Sequence, residues 1–199
     1  ICILMATPYE KCLEQNKLRK RQVPEEVIKK MYLNFYIPQY YEGWDNIEIK
    51  YTCDLDNFDL CELFDGVNGL NRINQDNPHH ILTIGEHCEK CAMELNKINK
   101  DCSIELFSAA MLHDIGKKFT KEFKNYKGES TDVAHYYNHH LVSAYNSLFY
   151  STDDMCYDEL LLRANYIQWH MQPFFIETEK AKNKFINLVG QEFYDDLML

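Results

Sequence analysis

Apolar residues recur at spacings of three and four along most of the second part of the chain. Ile81, Ile84, Cys88, Cys91, Leu95 and Ile98 form such a series, the spacing that keeps one face of a helix inward. Residues 104–112 are nearly all apolar and predict a helix buried on most sides, and residues 133–150, 159–171 and 181–199 each carry helical spacing. The first part reads differently. Ile1 to Met5 is an unbroken apolar run suited to a buried strand, and residues 46–52 alternate Ile47, Ile49 and Tyr51 with polar neighbours, as a second strand would. Between them, residues 8–18 predict a helix, and Pro24 followed by Glu25 and Glu26 begins another, proline and acids being favoured in a first turn. Residues 54–78 turn to Asp, Asn and Gly, with Asp65-Gly66 and Asn68-Gly69 as turn signals.

This pattern predicts a mainly α protein in three parts: a small α/β portion over 1–54, a connector over 55–78 and a helical domain over 79–199. The apolar opening suggests a sheet entered midway, and the last helix has no stop signal, so both ends are expected to continue into a longer protein. Hydrophobic residues make up 46% of the chain, enough for a packed core. A formal charge of -10 argues against a broad footprint for nucleic acid or an anionic membrane, leaving room only for a local basic groove. The eight cysteines show no evenly spaced framework, and no secretory signal or long apolar run is present; free thiols, a cytoplasmic location and no membrane partner are expected.

All 8 histidines fall between His79 and His170. The most informative run is Met111 to Lys117, which sets His113 and Asp114 at the end of the apolar 104–112 helix, with Gly116 permitting a turn away. His87 follows Ile84 by three residues and should lie near the buried edge of its helix. His135 and His139 are four apart, on one face of the helix expected over 133–150, and His170 ends an apolar helix just before Pro173. Imidazole and carboxylate together suit a divalent ion such as manganese, iron, nickel or zinc, magnesium being less at home among histidines. Asp114 could bridge two ions about 3.5 to 4 Å apart, with His139 and His170 on the second, and such ions acidify water for attack on phosphorus. Lys117 would neutralise a phosphate oxygen. His79, His80 and His140 stay outside the ligand set, as exposed or orienting side chains. His135 is equally a ligand or a donor to substrate. Cys88 and Cys91 form one pair without a second, and the zinc reading gives way to packing.

His87, the His113-Asp114 doublet in HDIGK, the NHHLVSAY segment from Asn138 to Tyr145, and His170 together resemble the HD superfamily of metal-dependent phosphohydrolases. The likeness is greatest to HD domains similar to the accessory domain of tRNA nucleotidyltransferases. It implies an HD-type helical bundle and hydrolysis of a phosphate ester of a nucleotide or nucleic-acid end by metal-activated water. It further implies His87, His113 and Asp114 as ligands of the first ion, His139 and His170 as the extra histidines of two-metal members, and Asp114 and Lys117 as the catalytic pair. The family's last aspartate usually sits in an Ala-Asp pair on a following helix. Here only Asp195 and Asp196 answer to it by type.

The first 54 residues have a likeness of their own. The stretch from Thr7 to Met31, then Pro38 and Glu42-Gly43-Trp44-Asp45, resembles the lid and C-terminal portion of P-loop kinases related to polynucleotide kinase. Arg19 and Arg21 match lid arginines that lie over nucleotide phosphates in that family; the alternative is a solvated helix end. The glycine-rich phosphate loop is absent, so ATP would be a cofactor only in a full-length kinase. Two functions remain open: metal-dependent phosphohydrolysis, or a non-catalytic HD domain that binds nucleotide or RNA for an attached kinase.

Overall fold

The computed structural model describes residues 1–150 and 155–199. Strand β1 (Cys2–Ala6) is followed by helices α1 (Tyr9–Lys17) and α2 (Glu25–Leu33), and then by β2 (Ile47–Tyr51). The two strands pair in parallel, with Cys2 opposite Ile47 and Ala6 opposite Tyr51. Parallel neighbours need a long crossover, which α1 and α2 supply. Leu4, Ala6, Ile47 and Ile49 alternate inward and are buried. The leucine and the two isoleucines contribute about 1.5–3 kcal/mol each on leaving water.

The segment 55–78 is more than a spacer. Its short helix α3 (Leu60–Asp65), started by the Asp59 side chain accepting from Cys61 N–H, brings Phe64 into the interior, and Leu70 follows. Helix α4 (Ile84–Ile98) then opens on a reciprocal cap between Thr83 and Glu86, burying Ile84, Cys88, Ala92 and Leu95 on one side. Helix α5 (Ile104–Leu112) starts where Ser103 Oγ accepts from Leu106 N–H. A short α6 (Lys117–Thr120) leads into an antiparallel hairpin of β3 (Glu122–Lys124) and β4 (Ser130–His135). Helices α7 (His139–Ser147), α8 (Tyr157–Trp169), α9 (Glu179–Val189) and α10 (Gln191–Leu197) complete the described chain. The result is mainly helical.

Two of the expected helices come out differently. Residues 133–150 are not one helix: Val133 and Ala134 belong to β4, and the helix starts only at His139. Val133 and Thr131 are β-branched and suit the pleated strand, and Asn138, at φ 59°, turns the chain in the left-handed region that Asn tolerates better than most residues. His135 and His139 therefore do not share a helical face. Residues 181–199 are likewise two helices, because Gly190 at φ 91° breaks the run.

One apolar cluster holds the strands and the helices together, joining Leu4, Ile37 and Ile49 to Leu106, Leu148 and Ile167. Specific hydrogen bonds sew the same seam. Thr7 N–H donates to Tyr145 Oη at 2.8 Å, and that hydroxyl donates to Thr7 C=O at 3.0 Å. Ile37 N–H donates to Gln168 Oε1 at 2.7 Å, and Tyr51 Oη donates to Leu148 C=O at 2.8 Å. The sheet thus rests on α7, which carries His139 and His140, and on α8, which His170 caps.

Candidate metal centre

His113 and His170 occupy equivalent places, each the C-cap residue of an apolar helix, α5 and α8. Helix ends leave carbonyls without intrahelical partners. His113 Nδ1 lies 2.8 Å from Ala110 C=O and His170 Nδ1 lies 2.7 Å from Ile167 C=O. His139, the first residue of α7, repeats the device on Tyr136 C=O at 2.7 Å. A carbonyl only accepts, so each Nδ1 carries the proton. In the neutral ring that leaves Nε2 as a bare lone pair facing inward, the tautomer a metal ligand needs.

Those nitrogens converge on Asp114, which is 2% exposed. Its Oδ2 lies 3.4 Å from His87 Nε2 and 3.3 Å from His113 Nε2, while its Oδ1 lies 3.2 Å from His139 Nε2 and 3.9 Å from His170 Nε2. Within each pair the nitrogens are close, 3.1 Å for His87 and His113 and 3.3 Å for His139 and His170. Ligands at about 2.0–2.2 Å from one ion stand about 3.0–3.5 Å apart for angles between square and tetrahedral, which all these spacings fit except the 3.9 Å between Asp114 Oδ1 and His170 Nε2. Asp114 Oδ1 is buried without a hydrogen-bond donor. Three acceptors thus face one another around it, an arrangement that is repulsive unless a cation lies among them. The residues fit a metal: the buried cluster of Asp114, His87, His139 and His170 could hold an ion.

Protonation follows the same logic. Burial would push the His113 imidazole down and Asp114 up, but the two lie side by side, and the net effect raises His113 and holds Asp114 well below the usual carboxylate range. Burial, reinforced by His113, holds His170 well below the ordinary value, and burial with His113 pushes His87 down to about 4. Both rings stay neutral and available as donors at neutral pH.

Gly116 fixes the distance between the two imidazole pairs. Its φ of -68° is ordinary, so the glycine is not there for the turn that the sequence suggested. It permits contact: a Cβ would fall 2.5 Å from His139 C=O and 2.6 Å from Ser143 N. Its own N–H donates to Ser143 Oγ at 2.8 Å, which clasps the α5–α6 corner to the first turns of α7.

Lys117 is buried, with Nζ 2.7 Å from Asp114 Oδ2 and donating to Gln75 Oε1 at 2.8 Å. Its charge therefore meets the carboxylate first, an orientation that the sequence reading of a phosphate ligand did not include. The centre opens on a cavity of about 1080 Å³. Lys117, His80 and His135 are among its polar lining residues, and Leu95, Leu106 and Phe174 are among its apolar walls. His135, on β4, stacks on Tyr137 at 5.5 Å between ring centroids. His80 sits 6.0 Å from His87 and His140 5.8 Å from His139, centroid to centroid, and His79 is exposed. Asp196 lines the cavity and accepts from Tyr166 Oη at 2.6 Å, whereas Asp195 accepts from Gln191. Arg19 and Arg21 are exposed and form no part of the cavity wall.

Gln75 escaped the sequence reading: it holds Lys117 from a segment read as connector, and Tyr136 Oη donates to Gln75 C=O. Cys91, which that reading left to packing, has its thiol in a group with His87 and His113, all ligand atoms lying within 4.8 Å of one another. Its position four residues after His87 on one helix was the available signal. No protein-family model, curated protein or solved structure matches the chain. Among the described residues no helix is long and apolar enough to cross a membrane.

Proposed function

We propose that the protein is an HD-type, metal-dependent phosphohydrolase that cleaves a phosphate ester of a nucleotide or nucleic-acid end. His87, His113 and Asp114 would hold one divalent cation, and Asp114, His139 and His170 a second. The observation that carries this reading is the division of Asp114, one oxygen to each pair of imidazoles. Cations bound there supply Lewis-acid charge and acidify water, the two contributions phosphate-ester hydrolysis requires at neutral pH.

The chain's own residues do the rest. The Nδ1 bonds to Ala110, Tyr136 and Ile167 fix the rings so that no reorientation is needed when substrate arrives. Lys117 offsets the buried Asp114 charge and lines the cavity, where it would stand beside a phosphate held next to the imidazoles. His80 and His135 line the same wall and can donate to the oxygens of the ester or of its leaving group. The apolar walls would receive the organic part of the substrate.

The test is elemental analysis of the purified protein followed by a phosphomonoester and phosphodiester panel in manganese or nickel. Hydrolysis that chelation removes and metal restores is the expected outcome. Bound metal with no turnover on any ester would replace this reading with a non-catalytic nucleotide- or RNA-binding role.

A further inference from the structure

Helix α4 presents two cysteines three residues apart, and the fold sends them to different places. Cys88 is fully buried among the core residues. Cys91 lines the cavity, and its Sγ lies with a ring nitrogen of His87 and one of His113 in a group whose atoms are all within 4.8 Å of each other. The carboxylate beside both imidazoles, Asp114, is buried and has an oxygen without a donor. The other half of the centre, His139 and His170 with Asp114, offers nitrogen and oxygen alone.

Resting on the metal-centre reading above, we propose that Cys91 is a thiolate ligand of the cation held by His87 and His113, which makes the centre's two halves chemically unequal. On binding, the Cys91 S–H bond gives its proton to solvent and the sulfur pair bonds the ion. A half-site with sulfur and two nitrogens selects borderline or soft divalent ions such as zinc or cobalt and disfavours magnesium. With Asp114 Oδ2 beside those imidazoles, its protein donors number up to four, the complement of a closed site, whereas the His139–His170 half keeps positions open for substrate. The organic ester would thus meet the second half, and the first would act through charge and through its hold on Asp114.

Cobalt(II) titration of the whole purified chain, followed by absorption spectroscopy, tests this. The unsubstituted protein should show a near-ultraviolet sulfur-to-cobalt charge-transfer band as one equivalent binds. Cys91→Ser should lose the band and weaken that equivalent by at least about tenfold while leaving the other equivalent unchanged. Cys91→Asp should bind cobalt without the band, and Cys61→Ser and Cys156→Ser, at exposed thiols away from the cluster, should keep it. Cobalt bound by the unsubstituted protein without a band, or a band surviving in Cys91→Ser, overturns the assignment of Cys91 and leaves the histidine–aspartate centre standing. Failure of the unsubstituted protein to retain cobalt at all would sink the centre itself, and this inference with it.

Discussion

Two buried polar regions lie close together in this molecule and are built on opposite rules. Along the seam between the sheet and the helices, donors meet acceptors: Thr7 with Tyr145, Ile37 with Gln168, Tyr51 with Leu148. Around Asp114, acceptors meet acceptors, with Oδ1 and two Nε2 lone pairs sharing one small volume. Burying a polar group without a partner costs about 1–3 kcal/mol by mutational measure. The seam avoids most of that cost with the chain's own atoms, Gln168 Nε2 being left without a partner. The centre can avoid it fully only with a positive charge, part of which Lys117 provides. Paired donors and acceptors dock the parts of the fold in one register, whereas facing acceptors form a cluster that could hold a metal ion.

The sharpest way to break the contrast is to remove the shared carboxylate. Asp114→Ala and His113→Ala should each lower metal-dependent hydrolysis by at least about 10³-fold, equivalent to about 4 kcal/mol of transition-state stabilisation, with far-ultraviolet circular dichroism near that of the parent. Asp114→Ala should lose both equivalents of metal and His170→Ala one. A variant that keeps full activity would show that the acceptors around Asp114 are an accident of packing.

A second experiment sets the two regions against each other without changing the centre. Metal in 100-fold excess over its dissociation constant should stabilise the fold by about 2.7 kcal/mol, read as a chelator-reversible rise in melting temperature. Seam variants should keep this increment and centre variants should lose it. Equal increments in both sets would mean that the ion binds elsewhere.

How far these regions could be read from the sequence also differs. The helices bearing His87, His113 and His170 follow from local apolar spacing and from caps, which are properties of neighbours in the chain. Spacing alone puts His135 on the wrong element, since the residues from Val133 to His135 can be placed on a helix by that spacing and only pairing with β3 makes them a strand, whereas His139 does lie on a helix. The seam left no trace, because Thr7 and Tyr145 are 138 residues apart and nothing in either neighbourhood specifies the other. The same holds for Gln75 and Lys117, 42 residues apart. Donor convergence could be guessed from residue types; the division of Asp114 between two pairs required coordinates.

Gly116 links the regions, because α7 carries both His139 of the centre and Tyr145 of the seam. In Gly116→Ala the new methyl would meet the backbone at His139 and Ser143, and the α5–α6 corner would have to move off α7. A stability loss of about 1–3 kcal/mol is expected for overpacking of this kind. The larger signature is selective: the equivalent of metal bound through His139 and His170 should weaken while the His87–His113 equivalent persists. Loss of both in parallel would show that the corner supports the centre as a whole.

The smallest effect belongs to the seam alone. Tyr145→Phe removes the hydroxyl that serves both Thr7 N–H and C=O and should cost about 1–2 kcal/mol, without altering metal content. Its pH signature has a definite sign. Burial, opposed by the Thr7 N–H, pushes the Tyr145 phenol from 10.0 up to about 12. Between those values the unfolded chain releases a proton that the folded chain retains, so the contribution is fully present below pH 10 and is lost as pH rises through 12. The buried Tyr51 phenol, also pushed up to about 12, adds to the same alkaline decline. Tyr145→Phe should therefore flatten the fall in stability above pH 10 without abolishing it, and the flattening should be the same with metal and without. A flattening that depends on metal would tie the seam to the centre and erase the distinction between a polar contact that the chain completes by itself and one that it leaves for a ligand.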